Sequence, residues 1–330
     1  MNNRNRLSTF SENNSEKIPG KSVEETAGQW LENSRLRLKE SSYVKYRNIL
    51  KNHILPELGQ TELRQLTTDH VSAFIRQKLT EGRRDGKGGL SVRTVRDILS
   101  VLRNTCSYAK QHDIDVPCHF ELLKFRRSEE ETRVLDRRES AVLERFLMKD
   151  DNPVKTGILM SMYMGLRLGE VCALKKESIL YKEEILQIRF TMQRIQAPDR
   201  EEKRTKIIVT EPKTGNAIRD IPIPAPMLGR LWTLDHMPGE AYILTGRPDK
   251  FIEPRSLENI FKRYLRECGL PEINYHALRH TFATRCIESG FDVKSLSEIL
   301  GHGSVNITLN RYVHSSIEQK RKNMGKLHLT

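Results

Sequence analysis

One tyrosine near the end of the chain, Tyr312 in the stretch LNRYVH, has the chemistry of a nucleophile. A free phenol has a pKa near ~10, so only about one tyrosine in a thousand is ionised at neutral pH. If Tyr312 attacks an electrophile, cationic groups or a base must therefore activate it. If it does not, its ring packs on one side and its hydroxyl contacts water, as is usual for such a tyrosine. The stretch alone leaves both interpretations open.

Two histidines, His276 and His280, are spaced as metal ligands on one face of a helix would be. The zinc signature H-E-x-x-H needs a glutamate after the first histidine, where this chain has Ala277, and no third ligand is obvious. The pattern therefore predicts no metal site. The cysteines include no C-x-x-C pair, so they predict neither a disulfide framework nor a zinc knuckle. We expect all five to be buried as small hydrophobic side chains: Cys106, Cys118, Cys172, Cys268 and Cys286.

The chain is basic, with 56 lysines and arginines against 43 aspartates and glutamates, a net charge of +13. Such an excess favours a polyanionic partner, although it is also compatible with a membrane surface or with no partner. A hydrophobic content of 37% with 30% charged residues is typical of a globular protein. No apolar run approaches the roughly 20 residues of a membrane span, and the N-terminus lacks the apolar core of a signal peptide. We therefore expect a cytoplasmic protein without a membrane partner.

Helical patterns fill the first third of the chain. Residues 1–20 are polar and lack a hydrophobic period, which predicts a disordered N-terminus. Ser22 and Glu25 fit a capping box at the start of the first helix. Residues 21–115 predict a helical domain, and residues 116–134, which lose the helical period, predict a linker. Three further helices are predicted over about 41–54, about 68–81 and about 91–110.

The fourth predicted helix has one basic and one apolar face. Its basic residues recur mostly at intervals of three and seven: Arg93, Arg96, Arg103 and Lys110. A solvated charged face and a face that neutralises DNA phosphates are both compatible with this pattern. Residues 21–127 carry 20 lysines and arginines against 13 aspartates and glutamates, so more than half of the chain's excess charge lies there.

Residues 135–330 predict a mostly helical domain with a small sheet. Asp136 fits a helix cap, and an apolar helix, a turn at Gly165 and a shorter helix follow. Three segments rich in β-branched residues, EILQIRF, TKIIVT and AIRDIPI, predict one three-stranded antiparallel sheet. The chain is again helical from about residue 256. The predicted fold class is therefore mainly α with a small antiparallel β-sheet (α+β).

Five segments carry a resemblance to a known family: TVRDILSVLRNTCSYA, GLRLGEVCAL, PKTGNAIRDIPIP, HALRHTFATRCIESG and LGHGSVNITLNRYVH. In their order, separation and predicted elements they resemble the tyrosine recombinases of the phage integrase family. The resemblance implies a helical, SAM-like core-binding domain and an integrase-type catalytic domain that form a clamp around double-stranded DNA. It also implies a reaction that needs no metal ion, no ATP and no other cofactor.

The resemblance assigns roles to the charged residues of these motifs. Arg167 and Arg279 would grip the scissile phosphate, where two guanidiniums can neutralise the extra negative charge of a pentacoordinate transition state. Lys213, in the turn EPKTGN, would protonate the departing 5′-oxygen. Glu170 would orient Arg167 and a neighbouring histidine, and Arg311 would contact phosphate or stabilise its helix. Taken singly, the arginines are more typical of surface salt bridges, and Lys213 is typical of an exposed turn.

The resemblance also gives Tyr312 its activation. His276 and His302 occupy the family's positions for phosphate contact and proton handling, and His280 would support the site or pack in the core. Tyr312 would attack the DNA phosphate, giving a 3′-phosphotyrosine and a free 5′-hydroxyl. The implied function is site-specific recombination, for integration or excision of a mobile element or for dimer resolution. Two alternatives stay open: a type IB topoisomerase, and a non-catalytic DNA-binding protein on the same fold.

The end of the chain, SIEQKRKNMGKLHLT, has too narrow an apolar face for a core helix. In this family the tail docks on a neighbouring protomer, so the resemblance predicts a tail helix that helps to assemble a tetramer on DNA. Ile317, Met324 and Leu327 would be its docking residues. Integrases of the phage lambda type carry an additional arm-binding domain, for which residues 1–20 are too few. The resemblance leaves room for accessory DNA-bending proteins.

The role of Lys213 can be tested through its leaving group. If Lys213 protonates the 5′-oxygen, Lys213→Ala should cleave ordinary DNA about 100-fold more slowly or worse, because an alkoxide leaves poorly. A bridging 5′-sulfur leaves as a thiolate without a proton, so the variant should cleave that substrate at close to the wild-type rate. Cleavage rates are compared on two substrates that differ only in this atom. Equal defects on both would show that Lys213 acts otherwise, for example by holding the phosphate.

Overall fold

The computed structural model describes residues 21–83, 85–125, 133–197, 205–212 and 214–312, together with residues 321, 324 and 325. Contacts divide the chain into two compact units, Met1–Glu129 (unit 1) and Glu130–Thr330 (unit 2). The N-terminal segment for which disorder is predicted, residues 1–20, lies outside the described residues.

Unit 1 is helical, with α1 (Val23–Arg35), α2 (Glu40–Ile49), α3 (Leu55–Leu58), α4 (Thr68–Glu81) and α5 (Val92–Lys110). The helix predicted over about 41–54 is observed as α2 and a π-helical stretch, Leu50–Ile54, that leads into α3. Ser22 and Glu25 form the predicted capping box of α1, and the Thr67 hydroxyl accepts a hydrogen bond from the backbone N–H of His70 at the start of α4.

The apolar faces of these helices meet in one core around Trp30 and Leu99. Val116, Cys118 and Phe120 are buried in the same core, although the sequence analysis placed them in a linker. The first residues of the predicted linker therefore pack as part of unit 1.

Unit 2 contains α6 (Arg137–Leu147), α7 (Pro153–Met164), α8 (Leu168–Ala173), α9 (Ala225–Trp232), α10 (Pro254–Glu267), α11 (His276–Glu288), α12 (Val293–Leu300) and α13 (Val305–Tyr312). Asp136 caps α6 in a capping box with Glu139. Helix α7 is apolar on almost every side, so it is buried along most of its length and packs against α11. Gly165, with φ +65°, ends α7 at the predicted turn.

Unit 2 has two small antiparallel sheets where the sequence predicted one. The strands are β1 (Ile179–Leu180), β2 (Ile185–Ile188), β3 (Thr191–Gln196), β4 (Thr205–Thr210) and β5 (Arg219–Pro222). Strands β1, β2 and β5 form one sheet, and β3 and β4 form the other. The predicted pairing was wrong, because TKIIVT is β4 and pairs with TMQRIQ, a strand that the sequence analysis did not recognise.

Composition indicates that a segment is extended but does not identify its partner, which depends on distant packing. Here β3 packs against α8 and α10, and this contact separates β3 and β4 from the other strands. The described residues are nevertheless mostly helical with small antiparallel sheets, which confirms the predicted fold class.

The predicted tail helix lies almost entirely outside the described residues. Met324 is described and exposed, whereas Ile317 and Leu327 are outside that part of the chain. Within the described ranges, no helix combines the length and the apolar character that crossing a membrane requires.

Candidate active site

Several of the predicted site residues of unit 2 lie around the C-terminal end of α12. This helix ends at Leu300, and Gly301 follows in the left-handed conformation, with φ +62°. The last carbonyls of a helix have no partner within it and carry the negative end of its dipole. Here three consecutive carbonyls accept hydrogen bonds from three different arginines: Ile299 from Arg219, Leu300 from Arg279 and Gly301 from Arg167.

Arg279 is the most deeply buried of these arginines, with 1% of its surface exposed. It lies on α11, and its Nη1 donates to the carbonyl oxygen of Gly165 at 2.8 Å. Its Nη2 donates to the carbonyl oxygen of Leu300. The guanidinium therefore joins the C-terminal ends of α7 and α12, and both helices fix its position.

Arg167 immediately precedes α8 and is the most accessible of the three, with 33% of its side chain exposed. Its Nη2 donates to the carbonyl oxygen of Gly301 at 2.9 Å, and its Nη1 donates to Oε1 of Glu170 at 2.7 Å. Oε2 of Glu170 accepts from the backbone N–H of Arg167 at 2.8 Å. The predicted contact of Glu170 with Arg167 is thus present. The spacing in GLRLGE produces it, because the residue before a helix and the third helical residue face each other.

The second partner of Glu170 is Arg219 of β5, which the sequence analysis did not single out. Nη1 and Nη2 of Arg219 each donate to one carboxylate oxygen of Glu170, both at 2.9 Å. A signal for Arg219 was present in the sequence, since strand alternation puts it on the same face as Ile221 and Ile223. Those two isoleucines are buried, so an arginine in phase with them must be buried and paired.

Three guanidiniums and one carboxylate give this group of side chains an excess of two positive charges. Burial would raise the pKa of Glu170, but hydrogen bonds and charge from Arg219 and Arg167 outweigh it and lower the pKa to about 2. Burial lowers the pKa of Arg279 to about 9; Arg167 and Arg219 add to this shift, and Glu170 and Tyr312 oppose it. A buried group of like charges favours an anion with several oxygens, such as a phosphate diester.

Tyr312 is the last residue of α13 and is half-buried. Its ring packs against a small apolar cluster that includes Leu296 and Leu300 of α12. Its hydroxyl lies 2.6 Å from Nδ1 of His280, a buried histidine on α11. His280 was expected to support the site or to pack in the core, and the structure places it against the predicted nucleophile.

The other two predicted histidines lie close by. The ring of His302 is parallel to that of Tyr312, with centroids 6.5 Å apart, and its Nδ1 lies 2.8 Å from the hydroxyl of Thr308. Thr308 is fully buried one turn before Tyr312 on α13. His276 meets His280 edge to face, with centroids 4.6 Å apart. His280 therefore contacts the phenol directly, His302 lies parallel to its ring, and His276 lies against His280.

Two predicted site residues are not described in full: Lys213 lies outside the described residues, and only the backbone of Arg311 is described. In unit 1, the four basic residues of α5 are exposed as predicted. Two of them also cover aromatic rings of the following segment, Arg96 over Phe125 and Arg103 over Phe120, each at 5.5 Å. Arg96 and Arg103 therefore pack against the segment that follows α5, independently of any binding to phosphate.

The described part of the chain contains no group of three or more His, Cys, Asp or Glu side chains that could hold a metal ion. All five cysteines are free thiols; four are buried and Cys268 is half-buried.

Two family descriptions match the chain. The phage integrase family matches residues 134–319, more than half of the sequence, and the N-terminal SAM-like domain of phage integrases matches residues 22–79. The chain belongs to the phage integrase family. It is similar to a tyrosine recombinase XerC-like protein of Caldanaerobacter subterraneus, with 26% identity over 88% of this chain and 78% of the relative. A putative prophage phiRv2 integrase of Mycobacterium tuberculosis is 25% identical over 92% and 77%.

Solved structures of this family share the fold. The Tn1549 transposon integrase in complex with a circular intermediate DNA matches with a TM-score of 0.74 and 19% identity, over 93% of this chain and 99% of that chain. A lambda integrase tetramer bound to a Holliday junction matches with a TM-score of 0.63 and 16% identity, over 91% and 80%. These likenesses concern the fold, whereas the two family descriptions and the XerC-like relative confirm the expected membership of the tyrosine recombinases.

Removing the charge of Glu170 should destabilise unit 2 in a pH-dependent way. Glu170→Gln leaves Arg219 buried without its counter-ion, which costs about 3–5 kcal/mol of unfolding free energy at neutral pH. A carboxylate with a lowered folded-state pKa stabilises the fold above its unfolded pKa of about 4.3, and the gain disappears as pH falls towards about 2. The difference between wild type and variant should therefore shrink as pH falls below about 4.3.

Urea unfolding at several pH values from about pH 7 to about pH 3.5 measures this difference. Glu177→Gln, at an exposed glutamate of the same unit, controls for the loss of one negative charge and should have little effect. A Glu170→Gln defect of constant size across this range would contradict the low pKa of Glu170.

Proposed function

We propose that the chain is a site-specific DNA recombinase that cuts and rejoins strands through a 3′-phosphotyrosine on Tyr312. The observation that supports this most is the position of the phenol. Its hydroxyl is hydrogen-bonded to His280, and its ring packs on the helix whose end binds the three arginines. A tyrosine that only packs in a core has no use for three arginines bound at the end of the neighbouring helix.

The two arginines of the family motifs would bind the scissile phosphate. Arg167 and Arg279 each donate through Nη1 and Nη2 to the protein, and a guanidinium has five N–H groups, so donors remain for phosphate oxygens. Because protein groups already fix both side chains, they would meet the pentacoordinate transition state without rearranging. No step of this scheme requires a cofactor.

His280 would take the phenolic proton. In its neutral form, Nδ1 can accept the proton of Tyr312 while the phenolate oxygen forms a bond to phosphorus. The bond from phosphorus to the 5′-oxygen breaks, and that oxygen receives a proton, from Lys213 if the family role holds. The phosphodiester is exchanged for a phosphotyrosyl bond, so the reverse reaction rejoins a strand without ATP.

The partner would be double-stranded DNA, held in part by the basic face of α5 in unit 1. The relatives named above include a prophage integrase and a XerC-like recombinase, which supports integration, excision or dimer resolution as the task. We propose that the protein acts in the cytoplasm, where chromosomal or mobile-element DNA would be its substrate. The similar lambda integrase is a tetramer on a Holliday junction, and we propose the same assembly here.

Removal of one oxygen tests the nucleophile. Tyr312→Phe should bind DNA normally and form no covalent adduct, because the ring packing is kept while the attacking atom is lost. The substrate is a nicked duplex built on the recombination junction sequenced from cells, and the adduct is detected on a denaturing gel. Tyr163→Phe is the matched control, since the Tyr163 hydroxyl of the same unit donates to Glu144 at 2.5 Å; it should form adduct normally.

Adduct formation by Tyr312→Phe at wild-type yield would refute the assignment. Adduct in the wild type without strand exchange between two sites would favour the topoisomerase alternative. Absence of adduct in the wild type would favour a non-catalytic DNA-binding protein.

Assembly is tested by deleting residues 316–330. If the tail docks on a neighbouring protomer, the truncated chain should bind one half-site with near-normal affinity, because the described DNA-facing helices remain. It should lose the tetrameric complex and recombination. Gel shifts on one and two half-sites, with a recombination assay on the same protein, measure this. Tetramers and wild-type exchange without the tail would show that it has no part in assembly.

A further inference from the structure

Arg219 lies outside the residues to which the family motifs assign a role, yet it holds the carboxylate on which Arg167 depends. We propose that Arg219 is a positioning residue of the recombination reaction: by holding both oxygens of Glu170, it fixes the carboxylate that aims Arg167 at the scissile phosphate. The inference rests on the proposed function, since it concerns the same reaction. It adds a residue that never touches the DNA.

The contact between Arg219 and Glu170 has the geometry of a fixed fork. Both hydrogen bonds are 2.9 Å long, and only 5% of the Arg219 side chain and 1% of the Glu170 side chain are exposed. A bidentate pair sets the plane of the carboxylate as well as its distance. Oxygen Oε1 also accepts from Nη1 of Arg167, so the orientation of this plane decides where the Arg167 guanidinium lies.

Arg219 is itself anchored on two sides. Its Nε donates to the carbonyl oxygen of Ile299, and its Nη1 also donates to the carbonyl oxygen of Ala217 at 3.0 Å. The first bond connects β5 to the same end of α12 that binds Arg167 and Arg279. Arg219 therefore transmits the position of α12 to Glu170, and Glu170 transmits it to Arg167.

The charge of Arg219 has a second effect on Glu170. Without Arg219, the carboxylate would keep Arg167 as its near partner, and burial, which acts in the opposite direction, would raise the pKa of Glu170 above its present value. The excess charge of the group would fall from two to one. In such a variant Glu170 would become protonated at a pH where it is ionised in the wild type.

Few other charges act on Glu170. Arg279 of α11 is the third arginine of the group. The pKa of Glu170 is set by its burial and by its hydrogen bonds and charge interactions with Arg219 and Arg167. Arg194 pairs with Glu253, and the Tyr163 hydroxyl donates to a different glutamate. A change in the pKa of Glu170 should therefore be caused by substitution of Arg219 or Arg167.

The test is a double-mutant cycle on the nicked DNA substrate. The variants are Arg219→Met, Glu170→Gln and the double variant, together with Arg219→Lys. We expect each single variant to slow adduct formation about 10- to 100-fold while half-site binding stays normal. If Arg219 acts through Glu170, the double variant should be no slower than Glu170→Gln alone, because the two effects do not multiply. The double variant also removes the unpaired buried charge, so it should fold at least as stably as either single variant.

The pH profile separates positioning from mere support of the fold. As pH falls, the rate of Arg219→Met relative to wild type should converge on that of the double variant, since a protonated Glu170 resembles glutamine. Arg219→Lys restores the charge but not the fork, so it should recover only part of the rate and show no such convergence. Arg230→Met is the control: Arg230 is buried in the same unit and paired with Asp151, so its loss should lower the melting temperature and leave the pH profile unchanged.

Three results would overturn the inference. One is a double variant whose defect equals the product of the single defects. Another is a pH profile of adduct formation by Arg219→Met that runs parallel to that of the wild type, together with a loss of rate no greater than that of Arg230→Met. The third is full recovery of Arg219→Met on the 5′-sulfur substrate, which would mean that Arg219 acts on proton donation. A wild-type protein that forms no adduct would instead refute the proposed function, so the two failures are distinguishable.

Discussion

Three neighbouring carbonyls at the end of α12 organise the candidate site, since each binds an arginine from a different part of unit 2. Arg219 comes from β5, Arg279 from α11 and Arg167 from the turn before α8. A helix must leave its last carbonyls without internal partners, and this helix satisfies them with cations. Each hydrogen bond from a charged donor contributes about 1.5–3 kcal/mol, and the helix dipole adds to that attraction. Gly301 makes this possible, because a Cβ there would lie 2.9 Å from the carbonyl oxygen of Asn216.

Carbonyl oxygens accept hydrogen bonds from some of the N–H groups of these arginines without cancelling their charge. Within the described residues, Glu170 is the carboxylate that is hydrogen-bonded to this group, and its partners are Arg167 and Arg219. Burying unpaired charge costs several kcal/mol per ion, so the fold holds this group at some expense of stability. The same excess charge is what a phosphate diester would neutralise on binding. The arrangement thus favours binding an anion over maximal stability.

Local patterns allowed much of the fold to be predicted, and long-range contacts account for most of what was missed. The caps at Ser22 and Asp136 depend on residues three positions away, and the sequence located them. The strand β3 was not recognised, so its pairing with β4 was missed and the predicted single sheet was wrong. Arg219 and Glu170 are 49 residues apart, and no local pattern joins them.

Sequence motifs identified the predicted catalytic residues, but only the fold shows which of them contact each other. The motif HALRH contains His276, Arg279 and His280, but the sequence could not say which histidine meets Tyr312. On a helix, neighbours in sequence point in different directions, and the geometry of α11 sends Arg279 towards α12 and His280 towards the phenol. The family resemblance identified the residues. The packing of α11 against α7 and α12 determines which of them meets the end of α12 and which meets the phenol.

The proposed nucleophile, Tyr312, depends on the same helix end as the arginines. Helix α13 begins four residues after Gly301, and its buried Thr308 contacts the ring of His302, which follows that glycine. Helix α13 packs against α12, and the ring of Tyr312 packs against an apolar cluster that includes Leu296 and Leu300 of that helix. The proposed attacking oxygen and the arginines proposed to bind phosphate are therefore positioned by one helix, α12. In phosphoryl transfer the protein contributes position and electrostatics more than covalent chemistry, so a common anchor for both is an efficient way to hold the reacting geometry. Because that anchor is backbone, its position is set when unit 2 folds, and DNA can meet arginines that are already in place.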